Sequence, residues 1–226
     1  MLGAAKHSDE PLAQVGAISE LCEAYWRPLY AFLRRGGMSP EDAEDTVQGF
    51  LAMLLSGSGI AGLDRDRGRF RSYLLGALRN YRADQRDKAR ALKRGGGVAP
   101  ITIDGGEAEA WLTIPDDRTP EAAYAYAWAM EVLHRGRTRL RARYTAEGRP
   151  ELFETLEPFL LDGDTPRYRT VAAQLSMTEA NARVAVHRLR TRFGTALREE
   201  VADTLDSRNE AEIDAELRAV IAAVQS

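Results

Sequence analysis

The chain has 226 residues, with 31 basic and 34 acidic side chains and a formal charge of −3. At 44% apolar and 29% charged it has the composition of a folded protein rather than a disordered one, and no apolar run approaches the roughly 18 residues of a membrane span. A single cysteine, Cys22, excludes an intramolecular disulfide, and with three scattered histidines it leaves no metal-ligand spacing. Met1 to Pro11 carries Lys6, His7, Asp9 and Glu10 and lacks the apolar core of a signal peptide. These features predict a cytoplasmic protein of one or two domains, without cofactor, metal or membrane contact.

Ile18, Leu21, Cys22, Tyr25, Trp26, Leu29, Tyr30 and Leu33 step by three and four, predicting an amphipathic helix that Gly36 and Gly37 stop. Ser39-Pro40, with Asp42 three residues after the serine, opens a second helix running to about Leu55. Ala43, Val47, Phe50, Leu51 and Leu54 form its apolar stripe. Ser56 to Gly62 reads as a loop, and a third helix runs from about Gly68 to Arg94, ended by Gly95, Gly96 and Gly97. Val98 to Pro120 reads as a linker with a short extended piece at Ile101-Thr102-Ile103, anchored by Trp111 or Ile114. Helical periodicity resumes at Thr119-Pro120-Glu121 and continues to about Ala146, then over Glu151 to Leu161, Tyr168 to Leu175 and Thr178 to about Leu205. Ile213, Leu217, Val220, Ile221 and Val224 mark a last helix. The fold class is therefore all-α, two helical bundles joined by a linker, the second with a helix-turn-helix. Its divisions fall at residues 12–97, 98–119, 120–205 and a helical extension at 206–226.

Charge is unevenly spread along this frame. Arg65 to Arg94 holds eleven basic and three acidic residues; Pro166 to Arg198 holds seven arginines against Glu179 alone. Asp104 to Glu121 and the tail from Glu199 are acidic. Two basic blocks on either side of an acidic connector point to two contacts with one polyanion. In the second block, Ser176-Met177 makes a turn and Thr178 caps a helix presenting Arg183, His187, Arg188, Arg190 and Arg192, with Val184, Ala185 and Leu189 expected to face inward. Such a helix fits the major groove, where arginine can bond a guanine edge or a phosphate. In the third helix, basic residues interleave with Phe70, Tyr73 and Tyr81, the mixture that holds a single-strand backbone while aromatics stack on bases. Asn80 and Gln85 could read an unstacked base edge. Phe70 and Leu74 read as core, while Tyr73 and Tyr81 fit either role.

Pro40-Glu41-Asp42-Ala43-Glu44-Asp45-Thr46-Val47-Gln48, with Phe50 and Leu54-Leu55, resembles the polymerase-binding helix of sigma factors. Phe70-Arg71, Tyr73-Leu74, Arg79-Asn80 and Asp84 resemble the promoter-melting helix of that family. Tyr168 to Phe193, with Val186-His187-Arg188-Leu189-Arg190, resembles the domain that reads the upstream promoter element. The three stand in the family's order, and the extracytoplasmic-function (ECF) type of the sigma-70 family, which keeps only these two domains, is the nearest match. The resemblance implies that Asp42, Glu44, Asp45 and Gln48 contact core RNA polymerase. It gives Arg71, Tyr73, Arg79, Asn80, Asp84 and Arg86 to melted single-stranded promoter DNA, and Arg183, His187, Arg188, Arg190 and Arg192 to duplex promoter DNA upstream. Gly49 departs from the pattern where the family often has an acid, Ala180-Asn181-Ala182 replaces a glycine-containing segment, and the linker and following helix are longer than usual. An anti-sigma protein, or the acidic C-terminal helix as an intramolecular regulator, is the candidate control; the alternative role for that helix is to complete the core.

An enzyme is not expected. Glu41, Asp42, Glu44 and Asp45 diverge around their helix, where only Glu41 and Asp45 share a face, and no second acid cluster, histidine pair, phosphate loop or nucleophile motif accompanies them. The alternatives that remain are a helix-turn-helix regulator acting on duplex DNA without polymerase and, outside DNA binding, a helical interaction adaptor.

Overall fold

The computed structural model describes residues 24–56, 70–92, 118–160, 168–205 and 209–225, with no side-chain account of 89–92. These residues are helical with no strand among them, so the protein belongs to the all-α class. The expected linker, including Ile101–Ile103, Trp111 and Ile114, lies outside the described residues, as do the Ser56–Gly62 loop beyond Ser56 and the start of the first helix at Ile18, Leu21 and Cys22. Residues 24–35 form α1, Pro40–Leu55 α2, Phe70–Leu92 α3 and Pro120–Ala146 α4. Pro150–Leu156 forms α5, Tyr168–Gln174 α6, Glu179–Thr204 α7 and Glu210–Gln225 α8.

Local chemistry sets the helix ends. Ser39 Oγ accepts from the Asp42 amide at 3.2 Å and donates to the Asp42 carboxylate at 2.7 Å, capping α2. Thr119 and Thr178 cap α4 and α7 in the same way, each accepting from the amide three residues on at 3.2 Å. After α1, Met38 donates to the Leu33 carbonyl and Gly37 to Arg34, with Gly37 at φ 83. That pair of bonds is a Schellman closure, whose left-handed residue is glycine because a Cβ is strained there. α4 ends likewise, with Gly148 at φ 71. Where the sequence suggests one helix over Glu151 to Leu161, α5 tightens into a 3-10 turn at Glu157–Phe159. Pro158 explains the difference, since it has no N–H to offer the i−4 carbonyl and its ring crowds that group.

The chain forms two compact units, one of Met1–Ala129 with Ala222–Ser226, the other of Met130–Ile221. The division falls inside α4. The first turns of α4 carry apolar and hydrogen-bonding groups that the first unit satisfies: Ala123, Tyr124 and Trp128 are buried, and Tyr124 Oη donates to the Arg71 carbonyl at 3.0 Å.

In the first unit, Tyr25, Leu29, Leu33, Val47, Phe50, Leu74 and Leu78 are almost wholly buried. Phe70, expected as core, is half-buried and meets Tyr25 edge-on at 5.4 Å. Gly49 lets α2 accept Tyr81 of α3: a Cβ there would stand 2.5 Å from the Tyr81 hydroxyl. The Tyr81 ring also rests 5.8 Å from Phe50.

The second unit is built on Leu140, Tyr144, Phe153, Leu156, Val171, Val186, Leu189 and Phe193. Burying each such side chain contributes about 1.5–3 kcal/mol against leaving it in water. α4 and α7 approach closely at Gly136, where a Cβ would lie 2.6 Å from Leu197. Along that seam Arg135, Arg139 and Arg143 meet Glu199, Glu200 and Asp203, including an Arg139–Glu200 pair at 2.6 Å. Burial alone pushes the Arg139 guanidinium down, but the carboxylates of Asp203, Glu200 and Glu199 outweigh it and hold the group above its usual value.

Candidate nucleic-acid interface

The α6–turn–α7 segment places the second basic block. Met177 donates to the Ala172 carbonyl at 2.9 Å and Ser176 to Ala173 at 3.4 Å, the same closure that ends α1 and α4. Here the left-handed residue is Ser176, at φ 50, a conformation costing a non-glycine residue about 1–2 kcal/mol. The turn redirects the chain within three residues, and Thr178 then starts α7.

Ala182, Val186, Leu189, Phe193 and Ala196 form the buried stripe of α7. With 3.6 residues per turn, Val184 lies about 200° around the helix from Ala182, on the opposite face. It is 48% exposed. The expectation that Val184 faces inward is therefore corrected: apolar character suggested a core position, but the stripe's period assigns that role to Val186. Ala185 is half-buried against the core and Leu189 fully buried, as expected.

The same geometry sorts the five cations assigned to duplex DNA. Arg190 and Arg192 lie on the two flanks of the buried stripe, within reach of neighbouring elements. Arg190 Nε donates to the Phe159 carbonyl at 2.9 Å. Arg192 Nη1 bonds both Glu147 carboxylate oxygens, at 3.0 and 2.9 Å, and its guanidinium sits 5.1 Å from the Tyr144 ring centre. Hydrogen bonding to Glu147 raises the Arg192 pKa against the small opposing effect of burial. Arg183 pairs with Glu179 at 2.8 Å and lies 5.1 Å over Tyr168 of α6. His187 and Arg188 project outward, and among the described residues no hydrogen bond or ion pair engages either side chain. Arg198, farther along, is taken by Glu210 and Asp214 of α8. The outward face thus presents Val184, His187 and Arg188 with Thr191 beside them.

The candidate single-strand surface lies on α3. Leu74 and Leu78 face the first unit's core, while Arg79, Asn80, Asp84 and Arg86 are exposed. Arg79 pairs with Glu121 of α4 and sits 5.3 Å from the Phe32 ring centre. Arg71 lies 4.4 Å over Trp128. Tyr73 is half-buried, its ring 6.4 Å from Phe70. Burial, then the charge of Arg86 one turn on, pushes the Arg82 guanidinium down. Two cations at i, i+4 repel, and a polyanion relieves that repulsion. Arg82 lies outside the set of residues that the resemblance implies, and its i, i+4 spacing to Arg86 is legible in the sequence.

On α2, Asp45 is exposed, Glu44 and Gln48 are half-buried, and Asp42 is occupied by the Ser39 cap. Among the described residues no group of three His, Cys, Asp or Glu side chains could hold a metal ion, and no helix is long and apolar enough to cross a membrane. No family model, curated protein or solved structure matches the chain.

Proposed function

We propose that the chain is a promoter-specificity factor of the sigma type, which binds core RNA polymerase through α2, holds melted promoter DNA along α3 and reads upstream duplex with α7. The observation that carries this reading is the outward face of α7. It follows a tight turn, lies opposite a continuous core stripe, and carries His187 and Arg188 unengaged while neighbouring arginines are tied back. Helix width supports it, since a helix of about 10–12 Å fits a major groove about 12 Å wide. The polymerase assignment rests on the resemblance of the Pro40–Gln48 segment and on the exposure of Asp45. No residue is assigned a chemical step, and the reading is of a cytoplasmic DNA-binding protein rather than an enzyme.

Run-off transcription with bacterial core polymerase tests the whole reading: the purified chain is expected to bind core polymerase and to direct initiation at discrete sites, and absence of polymerase binding would overturn it. One observation favours the helix-turn-helix regulator instead. Asp42 has a complete structural role in the α2 cap, so its presence needs no polymerase. Alanine at Asp45 and Gln48 separates the two, since only the sigma reading has these changes weaken polymerase binding while leaving duplex binding intact.

A further inference from the structure

Five large apolar side chains are notably exposed among the described residues: Leu55, Met130, Val184, Ile221 and Val224. Leu55 ends α2, and Ile221 and Val224 belong to the acidic α8. Ile221 has an unengaged cation one turn back, Arg218, but on a helix whose other charges are all acidic. Val184 instead lies on the helix that follows the α6–α7 turn, with unengaged His187 one turn on and Arg188 at i+4 on the same face. Valine is also a poorer helix former than alanine, because its branched Cβ loses rotamer freedom against the preceding turn. At this position it gains nothing from the core to offset that.

We propose that Val184 is a specificity-determining residue that packs its methyl groups against the C5-methyl of a thymine in the major groove of duplex DNA. The inference rests on the duplex-reading role given to α7 above. The chemistry is selective because thymine alone of the four bases presents a methyl in that groove, and an apolar side chain recognises it by contact. Arg188, one turn along the same face, supplies the donor that a phosphate or guanine edge needs. Arg183, held over Tyr168 by its bond to Glu179, braces the flank beside Val184. The β-branched side chain suits this task, since its χ1 is nearly fixed in a helix and it offers the methyl a rigid surface.

The test uses the full chain and a randomised duplex DNA pool from which bound sequences are enriched. In the enriched duplex each thymine is then replaced singly by uracil, which removes the methyl and nothing else. Affinity is read by fluorescence anisotropy. One replacement is expected to weaken binding about three- to fivefold, the effect of one buried methyl. Val184→Ala, which leaves only the Cβ methyl, should abolish that thymine-over-uracil ratio at the same position and leave it unchanged elsewhere, while Val184→Thr, which keeps a γ-methyl, should retain it. Val184→Ala removes an exposed side chain in favour of a better helix former, so helicity by circular dichroism should be unaltered. Equal ratios in the wild type and in Val184→Ala, or no thymine sensitive to methyl loss, overturn the assignment while leaving duplex binding standing. Failure to enrich any duplex, or binding indifferent to salt, overturns the duplex reading together with it.

Discussion

α3 and α7 are both arginine-rich helices with an apolar stripe, yet they dispose of their charge differently. On α7 the flanking arginines are held by neighbours within the second unit, Arg192 by Glu147, Arg190 by the Phe159 carbonyl and Arg183 by Glu179. That leaves a narrow outward strip around Val184, His187 and Arg188. On α3 Arg71 lies over Trp128 and Arg79 pairs with Glu121, but Arg82 and Arg86 repel each other one turn apart. Counting arginines therefore overstates the cationic face of α7. A narrow strip with one apolar contact suits the reading of base edges, and the exposed arginines of α3, Arg79 and Arg86, suit a backbone.

The inner and outer faces give the largest expected effects. Leu189 on α7 and Leu78 on α3 are fully buried, so Leu189→Ala and Leu78→Ala should each lower unfolding free energy by about 2–5 kcal/mol. Arg188→Ala and Asn80→Ala, on the opposite faces, should stay within about 0.5 kcal/mol. Denaturant titration of the four variants measures this directly, and similar values for Leu189→Ala and Arg188→Ala would show that the face assignment is wrong.

Next in size is the effect on duplex binding. If Arg188 contacts DNA, Arg188→Ala should weaken duplex affinity by about 1–3 kcal/mol for a base-edge contact, or lower the salt dependence by about one unit of log–log slope for a phosphate contact. Arg192→Ala, which removes a charge already neutralised by Glu147, should leave that slope nearly unchanged. Equal changes in the two variants would mean that the arginine count, not the pairing, is the better guide to the interface.

Two backbone positions sharpen the comparison further. Gly49→Ala drives a Cβ toward the Tyr81 hydroxyl, overpacking that costs about 1–3 kcal/mol against a gain of about 1 kcal/mol in helix propensity. The net loss in the wild type should become a net gain in a Tyr81→Phe background, where the hydroxyl is gone; chemical denaturation of the four chains of this cycle reads the change of sign. At the α6–α7 turn, Ser176→Gly should stabilise the second unit by about 0.5–1 kcal/mol, since relief of the left-handed strain exceeds glycine's entropy penalty. A lowered melting temperature for Ser176→Gly would contradict the turn geometry.

These positions also mark what the sequence could reveal. Helix identity, the caps at Ser39 and Thr178 and the buried stripes of α2 and α3 follow from local patterns of three, four and capping residues, and they are readable one segment at a time. The bonding of Arg192 to Glu147 joins residues 45 apart, and that of Arg79 to Glu121 joins residues 42 apart, a separation at which no local pattern operates. The sequence carries Arg135, Arg139 and Arg143 at steps of four, and Glu199 and Asp203 at the same step, but only the packing of α4 on α7 gives that spacing meaning. Residue type places Val184 in the core, whereas the period of Ala182, Val186 and Leu189 already excludes it. Gly49, a departure from the resembled pattern, has its reason in a tyrosine on another helix.

The smallest effect concerns the pair that most distinguishes α7 from α3. The hydrogen bond from Arg192 holds the Glu147 carboxyl below its ordinary value of 4.5, against a small opposing effect of burial. A carboxylate whose folded pKa is depressed stabilises the fold above its unfolded pKa and loses that contribution as pH falls through the folded one. Glu147→Gln should therefore lower the melting temperature slightly at neutral pH, and the difference from wild type should shrink below pH 4.5 and disappear in stronger acid. Because both groups are exposed, high salt should shrink it too. A pH-independent difference would mean that Glu147 acts through packing on α4's end rather than through its charge, and Arg192 would then return to the set of arginines available to DNA.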